Sequence, residues 1–156
     1  MKSIWLLVGN TETRKSSIVR CLLGVDNPAT EVEVQSITGM VLHMRAFISA
    51  VQEKKAVSPE ELLRDLNDSH WKGQFKSMRN ALVPLRYDPD SGQPAAECYV
   101  QALLNDGWTI KGIASLGEKA RDWLKNSGLP YIEVPNSTSV PSNVVAAQVR
   151  AAFGWL

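Results

Sequence analysis

A chain of 156 residues, 44% hydrophobic and 21% charged with a formal net charge of +1, is one domain's worth of protein, able to bury roughly two-thirds of its unfolded surface. That balance excludes a disordered chain and argues against a nucleic-acid partner held on a broad basic face, and no run approaches the roughly 20 apolar residues that span a bilayer. One Lys precedes the short apolar stretch SIWLLVG and no small-residue cleavage site follows, so a signal peptide is rejected and a cytoplasmic location expected; Cys21 and Cys98 are read as small buried hydrophobes of a reducing compartment.

Strand and helix patterns alternate along residues 1–156, which are read as a single domain. Ser3 to Val8 is a continuous apolar run, the pattern of a strand buried on both faces. After the loop GNTETRKSS, residues 9–17, the spacing of Ile18, Val19, Leu22 and Leu23 predicts a helix closed by Gly24. Residues 31–37 alternate polar with apolar, and Thr38-Gly39 turns the chain into Met40 to Phe47, so a hairpin is expected. Ser58-Pro59-Glu60-Glu61 is a capping box opening a helix over ELLRDL. Residues 69–79 fit a short helix or a loop.

Ala81 to Leu85 is a further apolar strand, with Pro84 placed near its end or demoting it. A helix over Pro94–Asn105 ends at Gly107, a strand covers Trp108–Ala114, and Ser115 with Glu118 reads as a second capping box for EKARDWLKN. Tyr131 to Val134 is the last strand, and Val144, Val145, Val149, Ala152 and Phe153 give the closing helix its apolar stripe. Strands separated by helices of about 10–15 residues imply a three-layer α/β domain with a mostly parallel sheet and one antiparallel edge hairpin.

The 9–17 loop joins the first strand to the first helix, at the carboxyl edge where such sheets bind ligands. Helix N-termini offer unpaired N–H groups and partial positive charge to phosphate. Gly9 would allow the turn out of the strand, Lys15 would reach terminal phosphates, and Ser16 would offer its hydroxyl to Mg²⁺. Asn10, Thr11, Thr13 and Ser17 would supply further contacts.

Gly9, Lys15 and Ser16 match G-x-x-x-x-G-K-[ST] at every fixed position but one, where Arg14 replaces the second glycine. On these residues the chain resembles the P-loop NTPase superfamily, and its element order is similar to that of the Ras-like small GTPases. The resemblance implies binding of ATP or GTP with Mg²⁺ and activity as a hydrolase or switch. It departs in three places. The third strand, MVLHMRAF, carries no Asp at its end, the stretch after Ala114 is Ser115-Leu116-Gly117-Glu118 rather than a guanine-reading motif, and Arg14 either turns away from the phosphates, adds charge beside them, or fills their cradle. Two alternatives follow: an inactive pseudo-NTPase used as a protein-interaction module, or a small nucleotide or metabolite kinase with residues 69–79 as its basic lid.

Asp88 and Asp90 stand in for the missing metal carboxylate, against a reading as a Tyr-Asp-Pro-Asp-Ser-Gly turn. Gln52, with Glu53 beside it, falls where the resembled GTPases orient water, and Arg86 could stabilise charge within the chain. Asn136-Ser137-Thr138-Ser139 either contacts the base or caps the last helix. Trp71 and Phe75 with Lys72, Lys76 and Arg79 fit a helix docked on the sheet more cheaply than a single-stranded nucleic-acid surface. His43 and His70 belong to no metal-ligand spacing, and Phe153-Gly154-Trp155-Leu156 either tucks into the core or meets another protein.

Overall fold

The computed structural model describes residues 2–10, 12–24, 31–53, 56–68 and 79–156. In chain order these form β1 (Lys2–Val8), α1 (Lys15–Leu23), β2 (Glu31–Gln35), β3 (Val41–Ala46), α2 (Pro59–Leu66), β4 (Arg79–Leu85), α3 (Ala96–Asn105), β5 (Thr109–Leu116), α4 (Asp122–Lys125), β6 (Tyr131–Val134) and α5 (Ser142–Phe153). The six strands make one sheet in the order β2-β3-β4-β1-β5-β6, parallel except for the β2–β3 hairpin at its edge.

Burial explains the order. β1 and β4 are apolar on both faces and almost wholly buried, which suits the middle of a covered parallel sheet, and they pair along their full length from Lys2 with Arg79 to Val8 with Leu85. β3 alternates buried Leu42, Met44 and Ala46 with half-exposed His43 and Arg45, and lies one strand further out. Pro84 is the penultimate residue of β4, in an interior strand rather than an edge one.

Alternate residues of β1 feed two cores. Ile4, Leu6 and Val8 pack with Leu62 and Leu66 of α2, Tyr99, Val100 and Leu103 of α3 and Leu124 of α4. Trp5 and Leu7 pack with Ile18, Val19 and Leu22 of α1 and Val145 and Val149 of α5. Helices therefore cover both faces of the sheet, and the three-layer α/β architecture stands. No helix among the described residues is long and apolar enough to cross a membrane.

Local signals held where nothing distant competed. Gly24 closes α1 with φ 67°, and Ser58 and Glu61 exchange both bonds of the capping box. The second box does not form. Ser115 stays inside β5, where its hydroxyl pairs with Tyr87 Oη at 2.5 Å and donates to the Glu118 carbonyl, and the helix that follows is the single turn of α4 with Arg121 at its N-cap. A long-range partner has taken the hydroxyl that a local cap required. Nor does the 136–139 cluster cap α5, whose N-cap is Pro141 with no side-chain bond.

The stripe of α5 is shifted: Val145, Ala146 and Val149 are buried, whereas Val144 and Ala152 are exposed. Cys98 is exposed and Cys21 half-buried, so neither is a core residue. Trp155 turns into the core at 5.3 Å from Trp5 and 5.1 Å from Phe153, while Leu156 stays exposed, its N–H donating to Gln35 on the edge strand. The 69–79 segment, with His70, Trp71, Lys72, Phe75 and Lys76, lies outside the described residues except for Arg79, the first residue of β4.

Candidate functional site

β1 sits where the chain's connections diverge. The chain leaves β1 through α1 on one face toward the hairpin side, and leaves β4 through α3 on the other face toward β5. The carboxyl ends of β1 and β4 are therefore the switch point of the sheet, the usual ligand position in open α/β sheets. Gly9, Asn10 and residues 12–14 lie at this edge.

Gly9 continues the ladder by donating to Leu85 at 3.0 Å. A Cβ there would lie 2.7 Å from the Leu116 carbonyl and 2.7 Å from Thr13 Oγ1, so only glycine lets the loop close this tightly on β5. Thr13 is buried beneath the loop. Its hydroxyl donates to the Asn10 carbonyl at 2.8 Å and its own carbonyl accepts from Ser137 Oγ at 3.3 Å. Gly117 presses on it from β5's end. Ser137 of the 136–139 segment thus supports the loop from below, and Thr13 holds the loop's shape with no side-chain surface turned outward. Thr11 lies outside the described residues.

Arg14 stands in the left-handed region with φ 64° and ψ 28°, a conformation that glycine takes freely. Its guanidinium reaches outward to the Val140 carbonyl at 3.4 Å, away from the loop. Glu12 is also left-handed, with φ 68°. The helix begins at the next residue, so a left-handed residue is followed directly by a right-handed one, the alternation that turns successive N–H groups toward one concavity. Ser16 is half-buried and Ser17 exposed on this first turn.

Lys15 is folded back into the loop. Its ammonium donates to the Gly9 carbonyl at 2.6 Å, the Asn10 carbonyl at 2.9 Å and Thr13 Oγ1 at 3.3 Å, and only 6% of the side chain is exposed. Burial pushes its pKa down to about 8, opposed by the Glu53 carboxylate at 4.0 Å and assisted by Arg86.

Asn10 ties the loop to β4's end. Its amide donates to Asp88 Oδ2 at 2.8 Å and its carbonyl oxygen accepts from the Asp88 N–H at 3.1 Å. Arg121 takes the same carboxylate with two donors, at 2.5 and 3.3 Å, binds Glu118 through Nε at 2.7 Å, and lies 4.5 Å over the Tyr87 ring. The Arg121 guanidinium, and after it the Asn10 amide, hold the Asp88 carboxyl below its usual range. Asp88 is therefore the centre of a latch. Both of its oxygens are engaged, which does not fit a magnesium ligand, and Asp90 faces Arg86 at 4.0 Å.

Gln52 is fully buried. Its amide donates to the Arg86 and Pro94 carbonyls at 3.0 and 3.3 Å, and its oxygen accepts from the Arg86 N–H at 2.9 Å. The carboxamide is occupied by backbone, so Gln52 pins β4's end to the turn after β3 and is not turned to a water. Its neighbour Glu53 does face the loop, with one oxygen 4.0 Å from Lys15 and 3.8 Å from Arg86. His43 pairs with Glu33 across the hairpin, remote from this edge. Among the described residues no three His, Cys, Asp or Glu side chains gather as a metal site.

The pair Glu53–Arg86 was hidden in the sequence because it depends on β4, rather than β3, lying beside β1. The unbroken apolar run NALVPL against the alternating MVLHMRAF was the available signal for that order. No protein-family model, no curated protein and no solved structure matches this chain.

Proposed function

We propose that this chain is a P-loop-like nucleotide-binding protein that takes the phosphates of ATP or GTP on residues 9–17 and acts as a hydrolase or switch. The observation that carries the reading is the backbone of Arg14: left-handed, with its side chain turned out to Val140, followed at once by the first right-handed turn of α1. That conformation supplies the converging N–H groups an anion needs, at a helix N-terminus, and keeps the substituted side chain out of the cradle. Lys15 supplies the positive charge and Ser16 the hydroxyl toward the nucleotide's own Mg²⁺. No step is assigned to Asp88, whose oxygens serve Arg121 and Asn10.

The engaged Asp88 also favours a second reading, an interaction module that binds nucleotide weakly or not at all and turns nothing over. Titration of ATP and of GTP, each with and without Mg²⁺, separates them. Micromolar binding tightened by Mg²⁺ supports the first reading, and no heat up to millimolar nucleotide supports the second.

A further inference from the structure

α5 carries two apolar stripes, and the domain's own core uses one of them. Val145, Ala146 and Val149 are buried on the sheet side. Val144, Ala147, Ala151 and Ala152, with Gln148 among them, recur at helical spacing on the other side, and all five are exposed. A helix that is apolar all round is ordinarily covered all round. The outer side also lacks charge. Among the described helices α1 exposes Arg20, α2 Glu60, α3 Glu97 and α4 Asp122, whereas α5 exposes no charged side chain. Its single charge, Arg150, donates to the Cys21 and Leu22 carbonyls at 2.8 and 3.2 Å and so serves α1. At the C-terminal end of α5 stand Ile37 and Leu156, 67% and 66% exposed, with the Ile37 N–H donating to the Gly154 carbonyl at 2.9 Å.

Two features of this face select its occupant. Being uncharged, it meets a copy of itself without like-charge contact, whereas a charged partner would be desolvated there and left unpaired. Gln148 lies midway between Val144 and Ala152 and carries both a donor and an acceptor, so across a twofold axis two such carboxamides are each other's partner. Ala147 and Ala151 on either side are small enough to let two helices approach to about 8 Å. We propose, independently of the nucleotide reading, that this face binds a second copy of this chain, α5 against α5, antiparallel about a twofold axis at Gln148. The antiparallel arrangement opposes the two macrodipoles and carries the Ile37–Leu156 corner of each copy toward the N-terminal end of the other's α5. One helix and a corner fall short of the roughly 800 Å² per partner of a standard interface, so the dimer is weak, with a Kd on the order of 10–100 μM.

The test is sedimentation velocity on wild type from about 1 μM to about 1 mM, where the mass should rise from one chain to two and stop there. Gln148→Glu and Gln148→Lys each set like charges on the axis, and each alone should dimerise about tenfold more weakly or worse. Mixed in equal amounts, the two should recover a heterodimer within about threefold of the wild-type affinity. Ala147→Glu, which keeps a good helix former, should also weaken the dimer about tenfold. Gln101→Glu, exposed on α3 in the opposite layer, should leave it within about twofold. Circular dichroism of each variant confirms the fold. Wild type that stays monomeric at about 1 mM, or a mass that climbs past two chains, overturns the proposal. So does a mixture of the two Gln148 variants that associates no more than either alone.

Discussion

Asn10 and Asp88 exchange two hydrogen bonds, amide to carboxylate at 2.8 Å and backbone N–H to amide oxygen at 3.1 Å, and so join the loop after β1 to the end of β4. Asp88 carries Arg121 on its other side, which brings the β5–α4 connection into the same latch. The latch is solvent-exposed, so it orients the loop more than it stabilises the fold.

Asp88→Ala should therefore cost no more than about 1 kcal/mol in urea unfolding, while weakening nucleotide binding about threefold or more by loosening Asn10. The carboxyl's folded pKa is depressed by Arg121 and Asn10, so its contribution is present above the usual carboxylate range and lost as pH falls through the depressed value. Equal acid unfolding profiles for wild type and Asp88→Ala would contradict the latch.

Lys15 has a linkage of the same sign in a higher pH window, though its cause is burial of the charge rather than pairing. Its folded pKa of about 8 lies below the ordinary 10.5, so between these values the unfolded chain binds more protons and this group's contribution to stability rises with pH. The gain is on the order of 3 kcal/mol across that window. An anion bound at Lys15 raises the pKa again. Nucleotide binding at pH 8.5 should then take up a fraction of a proton, seen as a binding enthalpy that varies with the buffer's ionisation heat. Buffer-independent heat would show that the phosphates do not reach Lys15.

Gly9→Ala should destabilise the protein by about 1–3 kcal/mol, because the new methyl meets the Leu116 carbonyl, a backbone atom that cannot swing aside. The denaturation midpoint is the measurement. A midpoint unchanged from wild type would mean that the loop does not close on β5 as described.

Arg14→Gly relieves a left-handed non-glycine residue while freeing the unfolded chain, so the two effects oppose and stability should rise by no more than about 1 kcal/mol. Because the arginine already points to Val140, nucleotide affinity should change by less than about threefold. A large gain in affinity would place the native side chain inside the cradle.

Much of the fold could be read from local pattern. The hairpin turn at Thr38-Gly39, the Ser58–Glu61 box and the Gly24 cap involve residues within a few positions of each other, where nothing distant competes. Ser115 shows the limit: a hydroxyl that fits a local cap was claimed by Tyr87, from the bend that follows β4. The site divides the same way. Gly9 and Lys15 could be singled out because the loop's residues are contiguous in sequence. The contacts of Gln52 and Asp88 were not legible, since these depend on Arg86, Arg121 and Asn10, which strand order alone brings to them.

The central claim is tested most directly by titrating ATP and GTP with Mg²⁺ into wild type and Lys15→Ala at neutral pH. The account predicts micromolar binding by wild type and a loss of about tenfold or more in Lys15→Ala, with the variant's fold intact by circular dichroism. No binding by wild type up to millimolar nucleotide, or equal binding by the two proteins, would contradict it.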